Sequence, residues 1–256
     1  MGHEAKREGS TIGSRAVQLT FLLALLALWY LSTTRWGVSP LLLPHPANVY
    51  VNFVDILRSG EFINDLRVTL TELAVALALS TTSGVMLGYL VSRSRYLIDV
   101  FEPLFAGSYS IPMILFLPLY VLFFGLGPSS KIALGATISF FPIVLCSMAG
   151  FGHVEQSYVL VARSMGATNY QLFRHVLLPA ARPLIFTGVR MGFTVALLSI
   201  IGGETIASLA GLGRRIVQLA EGMEMARMFA YIVLVVIIVA VLNFVVSVIE
   251  ARGNRF

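Results

Sequence analysis

The chain has 256 residues, of which 57% are hydrophobic and only 12% charged, with a mean hydropathy of +0.85 and a formal net charge of +5. A water-soluble domain of this length cannot hide so much apolar surface, so the composition excludes one and leaves a protein that crosses a membrane several times. The pI near 9.6 arises without a basic patch interleaved with exposed aromatics. This excludes nucleic acid as a partner and points to basic loops facing anionic lipid.

A helix needs about 20 mostly apolar residues to cross the hydrocarbon core. After a polar amino-terminal segment, residues 1–15, six runs meet that length: 16–34, 68–92, 103–124, 131–151, 183–203 and 228–249. The expected fold is therefore all-α and polytopic, with residues 16–256 forming one transmembrane domain. The first run is read as a retained helix. It is longer than a signal-peptide core, and it ends at Thr33-Thr34-Arg35-Trp36 with no small-x-small cleavage site. Pro112, Pro118 and Pro142 interrupt the third and fourth runs, where kinks rather than helix ends are expected, because neighbouring helices can satisfy the freed carbonyls.

With six spans both termini share one side. That side carries Lys6, Arg7, Arg15, Arg93, Arg95, Arg163, Arg174, Arg182, Arg252 and Arg255. The other carries Arg35, Arg58, Arg67, Lys131, Arg214, Arg215 and Arg227, largely matched by acids. The positive-inside rule places the termini and the loop at about 152–182 in the cytoplasm.

The chemistry that is missing narrows the function. The only lysines, Lys6 and Lys131, follow Ala5 and Ser130, so no phosphate-binding Gly-Lys pair exists for ATP. His3, His45, His153 and His175 form no i, i+4 pair, and Cys146 is the single cysteine, so neither a zinc site nor an internal disulfide is expected. There is no G-x-S-x-G and no close carboxylate pair within a span. The expectation is a non-enzymatic chain with no metal and no cofactor of its own.

The stretch 162–183, ARSMGATNYQLFRHVLLPAARP, is a basic island between spans. A first helix over about 155–165 puts Tyr158, Val161, Ala162 and Met165 on one face. Gly166 suits the left-handed position past its end. Thr168 followed by Gln171 spells a capping box for a second helix, whose apolar face carries Tyr170, Phe173 and Leu177. That helix is expected to end before Pro179. Both helices are too short to stand alone. Spacing by itself leaves open a pair lying on lipid and an element that docks another protein.

Gly166, nine intervening residues, then Val176, Leu177, Leu178 and Pro179 resemble the cytoplasmic loop of binding-protein-dependent ABC importer permeases. In those proteins the loop reads E-A-A, three residues, G, nine residues, I-x-L-P. Ala162 holds the second alanine, whereas Leu160 stands where the glutamate belongs and Val161 where the first alanine belongs. Leu87-Gly88, Phe124-Gly125-Leu126-Gly127 with Ser130-Lys131, Phe141-Pro142-Ile143, Gly188-Val189-Arg190, and Glu204 with Gly211-Leu212-Gly213 resemble one branch. That branch is the nitrate, sulfonate and taurine permeases, which includes bicarbonate and pyrimidine-precursor importers.

The resemblance implies a type I importer fold in a bacterial inner membrane. It implies coupling through Leu160, Ala162, Met165, Gly166, Ala167, Thr168, Gln171, Phe173, Leu178 and Pro179 to a separate cytoplasmic ATPase dimer that holds ATP and Mg. It further implies a periplasmic or lipid-anchored substrate-binding protein facing loops 35–67 and 211–227, a second permease chain forming a homodimer, and a small organic or inorganic anion as solute. An ion-gradient transporter and a non-transporting scaffold are the alternatives.

Pathway residues are less constrained. Arg190 is the one basic residue deep within a span and is expected either to meet an anion or to pair with an acid. Glu72 and Glu204 lie near outer span ends, where pairing and gating are both open. Tyr109, Ser110 and Asn243 offer hydrogen bonds either to a solute or between helices. Gly84-x-x-x-Gly88 and Gly188-x-x-x-Gly192 permit close helix contact, within the chain or between copies.

Overall fold

A computed structural model describes residues 4–253; the ends of the expected terminal segments, residues 1–3 and Arg255 included, lie outside the described residues. Every regular element among them is helical. α1 covers Glu4–Thr34, α2 Pro46–Ser59 and α3 Phe62–Ser92. α4, Arg95–Tyr109, is followed by a 3-10 turn, Met113–Phe116, and α5, Leu117–Phe124. α6 covers Pro128–Gly152, α7 Gln156–Ser164 and α8 Asn169–Leu172. A π turn, Phe173–Leu177, leads into α9, Leu178–Ile206, before α10, Leu212–Glu221, and α11, Met225–Gly253.

Two compact units are present. The first is built from α1, α2 and Gln218–Leu234. In it the Trp29 indole N–H donates to the Pro44 carbonyl at 3.1 Å and its ring meets Phe229. His45 Nδ1 caps α2 by accepting from the Ala47 N–H, Gly60 closes that helix at φ +66°, and Arg227 pairs with Asp55.

The second unit comprises Glu61–Val217 and the residues after Leu234. Its centre is α6, which packs along α3 and α9. The packing is close because small residues face it. A methyl group at Gly88 would lie 3.1 Å from the Met148 backbone nitrogen and against Ser147, and one at Gly188 would lie 3.1 Å from the Pro142 carbonyl. Both glycine pairs read from the sequence, Gly84 with Gly88 and Gly188 with Gly192, thus turn toward α6 of the same chain. Leu73, Ala76, Phe193, Ala196, Leu197 and Ile200 fill the core between α3 and α9, with Val239, Leu242 and Val246 of α11 packed against them.

Among the described residues, four helices are long and apolar enough to span: α3, α6, the α8–α9 run and α11. α4 and the Met113–Phe124 segment make a fifth together, bent by 73°. α1 covers the expected first run, with an apolar stretch at Leu23–Thr34; part of that run lies outside the residues whose side chains are described. The expectation for proline holds at Pro142, inside continuous α6, and fails at Pro112, where the helix ends. Ser110–Pro112 is irregular, because proline supplies no N–H and disfavours helix in the residue before it.

Candidate functional site

The island between α6 and α9 folds as a helix-turn-helix. α7 is slightly shorter than expected. Gly166 adopts φ +78° with open space around its α-carbon, so conformation alone calls for glycine there. Its N–H and that of Ala167 donate back to the Arg163 and Ala162 carbonyls at 2.9 and 3.0 Å, satisfying carbonyls that the helix end leaves free. The capping box forms in both directions. The Gln171 N–H donates to Thr168 Oγ1 at 3.3 Å, and the Thr168 N–H donates to Gln171 Oε1 at 2.8 Å.

The second helix does not end before Pro179; the chain stays helical into α9. The π turn is the reason. The Leu178 N–H reaches the Phe173 carbonyl five residues back, and the wider turn lets Pro179, near the start of α9, forgo its own donor.

The motif has two faces. Inward, Phe173 lies 4.7 Å from Tyr89 of α3 and 6.1 Å from Phe151 of α6, ring centre to ring centre, and Leu172 is buried. Outward, Leu160, Val161 and Met165 are exposed, Met165 to 82%. Tyr170 is also exposed and accepts a hydrogen bond from Arg174 at 2.9 Å. The face expected to hold Tyr170 with Phe173 is therefore split. Phe173 anchors the loop to the spans, and the exposed apolar side chains are left without a partner among the described residues.

A second cluster lies at the opposite end of α9. Glu204 is fully buried; its Oε1 accepts from the Thr69 hydroxyl at 2.6 Å and its Oε2 from the Gly213 N–H at 2.7 Å. The Leu212 N–H donates to Thr69 Oγ1 at 3.1 Å. The carboxylate thus sits at the amino end of α10, where the helix dipole favours a negative group. Gly211, at φ +110°, passes against this carboxylate, leaving no room for a side chain.

Lys131 is also fully buried; its Nζ donates to the Leu126 carbonyl at 2.6 Å and the Gly127 carbonyl at 3.2 Å, and it interacts electrostatically with Glu72 and Glu204. Glu72 is 1% exposed, and its oxygens make no hydrogen bond among the described residues. Sequence reading placed Lys131 on the outer surface and did not single out Thr69. The only signal was Ser130-Lys131 opening an apolar run.

The other sequence-selected residues separate. Arg190 is half-exposed and pairs with Glu250 of α11 at 2.8 Å, the acid partner left open above. Asn243 accepts from Thr194 at 3.2 Å and donates to the Val239 carbonyl. The Ser110 hydroxyl bonds the Ala106 carbonyl at 3.1 Å. Tyr109 lines a cavity at the break after α4. No group of three metal-ligating side chains occurs among the described residues.

Residues 80–254 match the family described as "Binding-protein-dependent transport system inner membrane component". The chain is 30% identical over 246 residues to the taurine transport system permease protein TauC of Escherichia coli (strain K12), covering 93% of this chain and 90% of that protein. It is 32% identical over 193 residues to the formylaminopyrimidine transport permease protein ThiX of Halalkalibacterium halodurans, covering 75% and 76%. Its fold superposes on a chain of the inward-facing MetNI methionine ABC transporter with a TM-score of 0.62 at 19% identity, over 77% of this chain and 97% of that one.

Proposed function

Because the chain belongs to the family of binding-protein-dependent transport system inner membrane components, we propose that its helix-turn-helix docks a separate ATPase and passes that protein's movements to the spans. One observation carries this reading: the exposed apolar edge of Leu160, Val161 and Met165 sits on a motif pinned from within by Phe173, Tyr89 and Phe151. A load on the exposed edge passes directly into α3 and α6. The residues that hold the motif's shape are Gly166, Thr168 and Gln171 on the outside and Leu178 and Pro179 at its exit.

ATP and Mg belong to the ATPase. Since ATP is held between two ATPase subunits, two permease chains stand over them, and a homodimer is the simplest assembly. The termini and the helix-turn-helix face the cytoplasm of a bacterial inner membrane by their positive charge. The α2 and α10 regions face outward toward a substrate-binding protein, across a polar and transient interface. The solute is small and polar, in the range of the taurine and formylaminopyrimidine for which the relatives are named.

The test is purification of the tagged chain from its native membrane in mild detergent, with and without Gly166→Pro. A nucleotide-binding ATPase recovered in one-to-one ratio with the wild type and lost from the variant supports docking at this motif. A wild-type chain that retains no ATPase, with detergent loss excluded by cross-linking beforehand, overturns it.

A further inference from the structure

A cavity of about 680 Å³ lies where the helix-turn-helix meets the ends of α3 and α6. Its lining has two characters. The buried part is apolar, with Phe151 of α6 and Leu172 of α8, and with the half-buried Val159 and Leu177. The exposed part is polar, with Arg93 just past α3, Gln156, Ser157 and Arg163 of α7, and Asn169 of α8.

The charge on this lining is uncompensated. Both charged side chains are guanidinium groups, and no carboxylate lines the cavity. Among the described residues the Arg93 side chain makes no ion pair and no hydrogen bond, and Arg163 reaches only the Asn169 side-chain oxygen, at 3.5 Å. α7 begins at the cavity with Gln156 and Ser157, and Glu155 before them gives no side-chain cap, so its first N–H groups lack a side-chain partner. Ser92 and Gly152 bring the carboxyl ends of α3 and α6 to the same cavity. Each helix end carries about half a charge, so two carboxyl ends and one amino end offset about a quarter of the arginines' charge. The cavity stays positive.

Two guanidinium groups without a carboxylate partner suit a phosphate, whose oxygens accept their paired N–H donors. The apolar part of the lining suits a carbon skeleton that carries one. We propose that this cavity is a binding site for an anionic phosphate group, free or on a lipid headgroup, with Arg93 and Arg163 as its cationic partners. An occupant ties the helix-turn-helix to the end of α3 and touches the docking edge, because Leu160 belongs to both. The site is additional to ATPase docking and does not depend on it.

The experiment uses the full-length chain, delipidated in a maltoside detergent, with Cys146→Ser as background and Ser157→Cys as reporter. Labelling is by an uncharged methanethiosulfonate reagent, whose approach does not depend on the local charge. Tyr158→Cys is the control, exposed on the same helix but outside the cavity lining. Inorganic phosphate is compared with chloride at equal ionic strength, and phosphatidylglycerol with phosphatidylcholine. Phosphate or phosphatidylglycerol should slow labelling of Ser157→Cys about tenfold at about ten times its dissociation constant, while chloride, phosphatidylcholine and the Tyr158→Cys control show no change. Protection by phosphate identifies a soluble source, and protection by phosphatidylglycerol alone identifies a headgroup. Arg93→Gln and Arg163→Gln should each weaken protection about tenfold or more, as for a lost charge-assisted hydrogen bond. Arg163→Lys, which keeps the charge, should retain part of it and serves if Arg163→Gln does not elute as a single species. No protection by either probe, equal protection by chloride or phosphatidylcholine, equal protection of Tyr158→Cys, or protection unchanged in both glutamine variants overturns the site. ATPase capture by the same protein reports docking separately, so a failure of the site and a failure of that reading are told apart.

Discussion

The Thr69 hydroxyl donates a 2.6 Å hydrogen bond to the Glu204 carboxylate, joining α3 to the end of α9 across 135 residues of chain. The same hydroxyl accepts from the Leu212 N–H, and the same carboxylate from the Gly213 N–H. Two buried side chains therefore satisfy the first donors of α10 and hold that helix to the spans that frame the core. Thr69→Val keeps the volume but strands a buried donor and loses a donor to the carboxylate. It should lower stability by about 2 kcal/mol, seen as a lower midpoint of thermal unfolding in detergent. An unchanged midpoint would mean that α10 is held by its apolar contacts.

Lys131 interacts electrostatically with both Glu72 and Glu204, and all three are at most 1% exposed. Removing one partner of a buried charge cluster leaves the rest uncompensated. Lys131→Met should cost about 3–5 kcal/mol and sharply reduce the fraction of chain recovered as a single species by size exclusion. Recovery equal to wild type would show the cluster to be solvated.

Gly88 and Gly107 make a controlled pair. A methyl group at Gly88 runs into α6, whereas one at Gly107 meets nothing within 4 Å. Gly88→Ala should destabilise by about 1–3 kcal/mol through overpacking. Gly107→Ala should be neutral or stabilise by up to about 1 kcal/mol, since alanine favours helix. Thermal unfolding of both variants decides whether the Gly88 face packs within one chain.

Met165 is 82% exposed on the proposed docking edge, so it contributes little to the stability of the chain alone. Met165→Glu should leave thermal unfolding unchanged while weakening ATPase capture by about 2 kcal/mol or more, as for a buried interface anchor. Equal capture by variant and wild type would move the docking surface away from α7.

Arg190 and Glu250 form a 2.8 Å pair in which Arg190 is half-exposed. A pair so placed is worth about 1 kcal/mol or less. Arg190→Glu should lower the unfolding midpoint, and adding Glu250→Arg should restore it. If the double variant unfolds normally yet does not transport, Arg190 acts on the solute as well as on Glu250.

Sequence alone located the spans from α3 onward, the helix of the first run, and the helix-turn-helix with its internal geometry, because each depends on interactions within a few residues. Apolar run length marks a span, Gly166 marks a left-handed turn, and Thr168 with Gln171 marks a helix start. Proline was legible only in part. Pro142 sits in an unbroken helix, Pro112 ends one, and Pro179 is carried by a π turn, and the outcome depends on what packs beside each freed carbonyl. The tertiary structure decided what was set by residues far apart in the chain. It turned Gly84, Gly88, Gly188 and Gly192 toward α6, buried Lys131 between two glutamates that sequence separates by 59 and 73 residues, gave Arg190 its partner in α11, and opened a cavity where α4 stops. Local patterns record which segments enter the membrane; only packing records which side chains meet there.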